Sequence, residues 1–287
     1  MAKKLLVVSN CNTGGLGNSL SMLMPDAEVH QCDIWSYRAA SAEWNERARD
    51  FDHLIVLPEL AGQGLDEGRD GLGLIWTPSF LFRSFHPDLC YMHHGAIGAV
   101  QGPMKDYHSS IVVAAYMLGL PASDVAALFR DDVFAACGFY DIFVDDRRRM
   151  LENFSDHGFD MSTHFLRWMR GRPFMYSINH PAIEPLFCLA WEIVRKLGKT
   201  PVLPPQGYFP IDRLADSLIY PIFPEIAERL GYMGGTTWFK PFQSNTLLSL
   251  DQFIHQSYEC YQQVDMSQVD CGHPEFAHIQ AVVRSLA

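Results

Sequence analysis

The sequence predicts an α/β protein: a three-layer parallel sheet with a helical cap inserted at 105–172. Three observations predict it. Short, uniformly apolar runs alternate with helical stretches through the first hundred residues, the pattern of βαβ units whose strands are buried on both faces. The segment from Ser109 to Arg172 then turns helical throughout. Finally, 287 residues with 48% hydrophobic and 19% charged content supply a sizeable core and exclude wholesale disorder, so a single domain over 1–287 with one insertion suffices.

Each element follows from its residues. Leu5–Ser9 is a strand because Val7 and Val8 favour extended backbone. Leu16–Leu23 supplies a helical turn or two, and Glu28–Ile34 a second strand. Ala42–Phe51 holds strong helix formers. Leu54–Leu57 and Leu74–Trp76 read as further strands. In the cap, Ile111, Ala114, Ala115 and Leu118 follow helix spacing, as do the stretches 122–137 and 143–154, with breaks at Gly119–Pro121 and Gly138. Phe174–Ile178 resumes strand character. A helix follows with Ile183, Leu186, Phe187, Ala190, Val194 and Leu197 on one stripe; Pro181 stands near its first turn and Gly198 ends it. After a proline-rich loop at 201–210, helices are expected over 214–230, 250–264 and 275–286.

Composition narrows the function. A net charge of −11 argues against nucleic acid as a main partner, while leaving room for a local basic pocket. Seven scattered cysteines, an odd number with no CxxC pair, support neither a disulfide framework nor structural zinc. His86, His93, His94 and His108 cluster in sequence, but their spacing suits no helical ligand pair and no carboxylate pattern joins them, so no metal is expected. The first apolar run is too short for a signal peptide, and no run reaches the roughly 18 residues of a membrane helix. The expectation is a reduced, cytoplasmic protein without an integral membrane segment. "DDRRRM" (145–150) reads as a solvated face, and "GGTTWFKPF" (234–242) as aromatic packing or the lining of a sugar site.

The chemistry concentrates at the chain ends. The first strand stops at Ser9-Asn10-Cys11 and runs into Asn12-Thr13-Gly14-Gly15. A cysteine ahead of a helix start is placed to act as a thiolate, and glycine permits the tight turn. The bland alternative is that Cys11 fills the core. Near the other end, "VDCGHPEFAH" sets Asp270 two residues before Gly272-His273, at a loop-to-helix junction where a carboxylate can orient an imidazole. The alternative is a surface loop with an aspartate cap.

Together these ends resemble SGNH/GDSL hydrolases, which open with a strand ending in Gly-Asp-Ser and close with Asp-x-x-His-Pro; the resemblance implies that the three-layer sheet is of SGNH or flavodoxin-like type. Here Ser9-Asn10-Cys11 and Asp270-Cys271-Gly272-His273-Pro274 stand in those places, with cysteine for serine and asparagine for aspartate. "SINH" (177–180) resembles the block whose asparagine, here Asn179, helps form the oxyanion hole. The stretches "TPSFLFRSFHPDLCYM" (77–92), "GPMKDYHSS" (102–110) and "SINHP" (177–181), with the opening "VVSNC", resemble the WcbI-type capsular polysaccharide biosynthesis family, whose members are described as coenzyme A-binding acetyltransferases.

That resemblance implies O-acetyl transfer from acetyl-CoA to a sugar or polysaccharide acceptor. Cys11, His273 and Asp270 would form a triad, with Asn179 and Asn10 at the oxyanion, either through an acyl-cysteine or by direct transfer. Coenzyme A phosphates need cations and backbone donors. The candidates are Gly14, Gly15, Ser79, Arg83, His86, Lys105, Tyr107, His108, Ser109 and His180. An SGNH-type esterase or thioesterase, and a non-catalytic coenzyme A or sugar-nucleotide binding protein, stay open as alternatives. So do the sugar, the hydroxyl and assembly as a homo-oligomer.

Overall fold

Leu5, Leu6, Val7 and Val8 are completely buried in β1 (Lys4–Ser9), because this strand lies inside a parallel sheet and both of its faces are covered. The computed structural model describes residues 2–205 and 207–286. After β1 come α1 (Thr13–Leu23), β2 (Glu28–Asp33), α2 (Ile34–Ala39), α3 (Ser41–Ala48), β3 (His53–Val56) and β4 (Leu74–Trp76). The sheet order is β2-β1-β3-β4, all parallel, as in the early strands of a doubly wound sheet. Strand alternation divides its side chains. Leu6, Val8, Leu54 and Val56 join Tyr37 and Ala48 of the α2–α3 layer in one core.

The chain continues through β5 (Leu89–Cys90), β6 (Met92–His94), β7 (Gly98–Ala99) and β8 (His108–Ser109). Then follow α4 (Ser110–Met117), α5 (Ala122–Val125), α6 (Asp131–Ala136), α7 (Phe143–Asp156), α8 (Ser162–Trp168) and α9 (Ile183–Lys196). The last elements are α10 (Arg213–Asp216), α11 (Pro224–Arg229), α12 (Leu250–Tyr261), β9 (Val269–Cys271) and α13 (Phe276–Leu286).

These elements divide into two units. The first comprises Met1–Leu81, Arg148–Met175 and Asn179–Ala215, and contains the parallel sheet. In it α1 packs along α9, and Gly15 permits the approach, since a Cβ there would stand 2.5 Å from Leu186 Cδ1. The second comprises Phe82–Arg147, Tyr176–Ile178 and Asp216–Ala287. Its core gathers Ile111, Val112 and Ala115 of α4, Phe253 and Tyr261 of α12, and Ile279 and Val283 of α13. The stretch 105–172, read from the sequence as one cap, is shared between the units at Arg147/Arg148.

Other local expectations change for identifiable reasons. Phe174–Ile178 is not a strand; Met175 makes an isolated bridge with Pro181, which has no N–H to extend a ladder. The helix expected over 214–230 is two short ones, because Pro221 and Pro224 interrupt it. The stretch 122–137 breaks into α5 and α6 around Arg130, whose backbone is extended. Strands β5 to β9, two or three residues each, are too short to carry a readable period.

Candidate active site

The register of the sheet builds the site. Ser9 pairs with Asp33, so the loops leaving β1 and β2 emerge side by side at the carboxyl edge, where parallel sheets bind ligands. Asn10 then acts as a latch. Its Oδ1 accepts the Asn12 N–H (3.1 Å), its Nδ2 donates to Ser79 Oγ (2.9 Å), and its carbonyl accepts both the N–H (3.0 Å) and the hydroxyl (2.7 Å) of Thr13. These bonds start α1 directly after Cys11.

Cys11 is half-buried and opens on a cleft of about 570 Å³, lined also by Asn10, Thr13, Gly14, Gln31 and Asp33. Asp33 caps α2, accepting the Ser36 N–H and hydroxyl, both at 2.8 Å. Those bonds, the backbone one first, hold its carboxyl below the usual range, so it is an anion in the cleft wall. Asn12 stands at the N-cap of α1 without capping it; its Oδ1 is buried and has no partner among the described residues. The first-turn N–H groups of Gly14 and Gly15 therefore have no side-chain cap. Arg213 lies beside them. A Cβ on Gly14 would stand 3.3 Å from Arg213 Cδ, and the exposed guanidinium makes no ion pair among the described residues.

His273 has a different setting. It is buried in the second unit; its Nε2–H donates to the Pro87 carbonyl (2.7 Å) and its Nδ1 accepts the Glu275 N–H (3.1 Å). Burial lowers its pKa to about 4, so the ring is neutral at pH 7. The expected pairing with Asp270 is not formed. Asp270 is exposed on β9, opposite His93, while the next residue, Cys271, points inward; the pleat turns the carboxylate outward.

Most of the other expected site residues hold the framework. Arg83 is largely buried and donates through Nη2 to the Leu89 carbonyl (3.0 Å); its N–H and that of Ser84 donate to Asp146 Oδ2 (2.7 and 2.8 Å). His86 is buried, with Nδ1 facing the Pro221 carbonyl at 3.2 Å. His108 uses both ring nitrogens, on the Tyr261 hydroxyl and the Val100 carbonyl at 3.0 Å each, and burial lowers its pKa to about 4. Tyr107 is buried against Tyr91. Ser109 caps α4 by accepting the Val112 N–H. Gly15 packs against α9, as above. Lys105 is exposed, in a left-handed turn at φ 60°, with its ammonium over the Phe242 ring. In the first unit, Asn179 is half-buried, and His180 is buried with its pKa lowered by desolvation to about 4.

The structure thus brings Asn10, Cys11, Gly14 and Ser79 together. It adds Thr13, Gln31, Asp33 and Arg213, which sequence reasoning missed. Asp33 was findable, as the terminal residue of the strand beside β1; Arg213 had no local signal. Among the described residues no group of three or more His, Cys, Asp or Glu is placed to hold a metal, no cysteine is in a disulfide, and no helix is long and apolar enough to cross a membrane.

A family profile described as polysaccharide biosynthesis enzyme WcbI matches residues 4–202. The chain belongs to the WcbI family. A solved structure of WcbI, described as a novel polysaccharide biosynthesis enzyme in a native form without a disulfide between coenzyme A and one of its cysteines, shares 14% identity with this chain. It covers 99% of this chain and 98% of its own, with a TM-score of 0.72, which establishes a shared WcbI fold. No curated protein sequence matches the chain. The profile contains every residue lining the Cys11 cleft; Arg213, beside Gly14, lies beyond it.

Proposed function

We propose that this WcbI-family chain is a cytoplasmic O-acetyltransferase on an SGNH-like three-layer sheet. It moves an acetyl group from acetyl-CoA to a hydroxyl of a capsular or other surface polysaccharide, or of its sugar precursor. The observation that carries the proposal is the half-exposed Cys11, latched by Asn10 at the carboxyl end of β1 and opening on a polar cleft. The description of the WcbI structure names coenzyme A and a cysteine together, and we carry that pairing to Cys11.

In the proposed reaction the Cys11 sulfur attacks the thioester carbonyl carbon. The bond to the coenzyme A sulfur breaks as the bond to Cys11 forms, an exchange of one thioester for another. Backbone N–H groups at the start of α1, with Asn179, would stabilise the oxyanion; one such donor is typically worth about 3–4 kcal/mol of barrier. The sugar hydroxyl then attacks the acyl-cysteine, losing its proton to a base as the thiolate leaves. In the triad reading His273 is that base, which requires it to give up Pro87 or Glu275. His180, a neutral imidazole in the same unit as Cys11, is the other candidate. Arg213, and Lys105 among the expected cations, keep charges open to coenzyme A phosphates.

Intact-mass analysis after incubation with acetyl-CoA tests the proposal. One acetyl group mapped to Cys11, and chased onto an added sugar, is the expected result. Full transfer activity in Cys11→Ala would defeat the nucleophile assignment. Rapid acetyl-CoA hydrolysis with no sugar present would make water the acceptor.

A further inference from the structure

A second cavity, of about 390 Å³, lies between α8, α9 and the proline-rich loop, wholly within the first unit. Its walls are aromatic. Phe187 and Trp191 come from α9, and Tyr208 and Phe209 from the loop. Phe209 meets Phe187 edge-on, with ring centroids 5.2 Å apart. These rings are not all core. The deeply buried face of α9 is Leu186, Leu189, Ala190, Ile193 and Val194, whereas Trp191 is half-buried and Tyr208 is 58% exposed. Aromatic side chains left partly open on a helix and a loop, around a cavity within the usual size of ligand sites, are what a binding surface needs and a core does not.

Two charged side chains complete the lining. Arg167 of α8 and Glu184 of α9 both face this cavity, and neither makes an ion pair or a hydrogen bond among the described residues. A third polar group, His164, is held in place; its Nε2 meets Glu192 at 3.0 Å and its ring stacks on Trp168. Its Nδ1 is buried with no partner among the described residues. The cavity thus combines aromatic faces with an unpaired carboxylate and an unpaired guanidinium.

We infer that this cavity is a saccharide-binding subsite, which holds one or two rings of the polysaccharide acceptor away from the reacting hydroxyl. The inference deepens the transferase reading and rests on it for the word acceptor. A pyranose has an apolar C–H face, which stacks on aromatic rings, and a rim of hydroxyls, which pair with carboxylate and guanidinium groups. A lipid tail would leave both charges unused. Position agrees with this use. The segment 209–213 runs from the aromatic wall at Phe209 to Arg213 beside Gly14, a span of at most roughly 14 Å. Midway, Asp212 accepts the Ile183 N–H (2.8 Å) and the Ala215 N–H (3.1 Å), which ties that segment to the start of α9. A polysaccharide anchored by the aromatic rings can therefore present a ring further along the chain to Cys11.

The test is an array of neutral and acidic hexose mono- to tetrasaccharides, probed with the full chain. Wild type is expected to bind a subset. Trp191→Ala and Glu184→Gln each weaken that binding at least tenfold, Trp191→Phe stays within about threefold, and coenzyme A affinity is unchanged in all three. Acceptor KM rises at least tenfold in Trp191→Ala while kcat holds. An array silent for wild type, or Glu184→Gln and Trp191→Ala binding like wild type, overturns the subsite. So does a tenfold loss of coenzyme A affinity in Trp191→Ala with glycan binding intact, which would make the cavity an adenine pocket. Trp191-dependent glycan binding together with no acetylation of Cys11 would sink the transferase reading and leave the subsite standing.

Discussion

The Cys11 cleft and the His273 cluster carry the two ends of one expected triad, yet they are opposite environments. At Cys11 a side chain latches the backbone and leaves the thiol at an open cleft, beside N–H groups with no side-chain cap and an exposed arginine that makes no ion pair among the described residues. At His273 the polar groups find hydrogen-bond partners among the described residues. Both ring nitrogens are bonded, and the neighbouring Asp88 is buried while accepting from the Ser110 hydroxyl (2.8 Å) and the Ile111 N–H (3.0 Å). The difference separates two uses of polar residues. Unspent hydrogen-bonding capacity beside a cavity serves a ligand, whereas spent capacity in a sealed interior specifies a fold.

The comparison breaks first at Cys11. Cys11→Ala should lower acetyl transfer by at least about 100-fold, with thermal unfolding almost unmoved, because a half-exposed thiol contributes little packing. Steady-state rates beside a melting curve decide it; a rate within tenfold of wild type would place the thiol outside the reaction. Asn10→Ala is expected to cost about tenfold in kcat, since it releases the Ser79 and Asn12 bonds that aim the loop, while coenzyme A still binds.

His273→Ala sharpens the other side. It strands the Pro87 carbonyl and the Glu275 N–H, and is expected to destabilise the protein by about 1–3 kcal/mol in urea unfolding. If the folded variant also loses transfer about 100-fold while His180→Gln does not, the triad reading gains its base; the reverse pattern assigns the base to His180. A further effect is set by pH. The imidazoles of His108, His180 and His273 titrate at about 4 in the fold, against 6.5 for an ordinary histidine. The unfolded chain therefore takes up these protons first as pH falls. Their contribution is complete above about 6.5 and is lost on the way down to about 4, at about 1.4 kcal/mol for each unit of difference. Burial of Asp88 and Asp146 raises their pKa values and opposes this trend. Urea midpoints of wild type and His108→Gln isolate one imidazole. The gap between them should close as pH falls from 6.5 to 4, and a constant gap would refute the assignment. The smallest effect is expected at Gly15→Ala, about 1–2 kcal/mol, because the flexible Leu186 side chain has room to turn away.

Much of the first unit was legible in the sequence. The four strands of the sheet fall where the apolar runs place them, and α9 follows its stripe from Ile183 to Lys196. The position of Cys11 was legible too, just past the first strand and ahead of the glycines, and the structure sets it at a cleft. The second unit was harder. Arg83, His86 and His108 look like ligand-binding residues in sequence, because a charge or an imidazole among aromatics suits a phosphate site as well as a bonded interior.

Local chemistry by itself determined the four strands of the parallel sheet, the helix α9 and the turn after β1, because period and propensity act over a few neighbouring residues. Only the tertiary structure decided which polar groups were already bonded. It turned Asp270 outward, gave His273 to Pro87 and Glu275, and set Arg213 beside Gly14. Those assignments depend on partners far apart in the chain, and burial makes each unmade bond costly enough to choose among them.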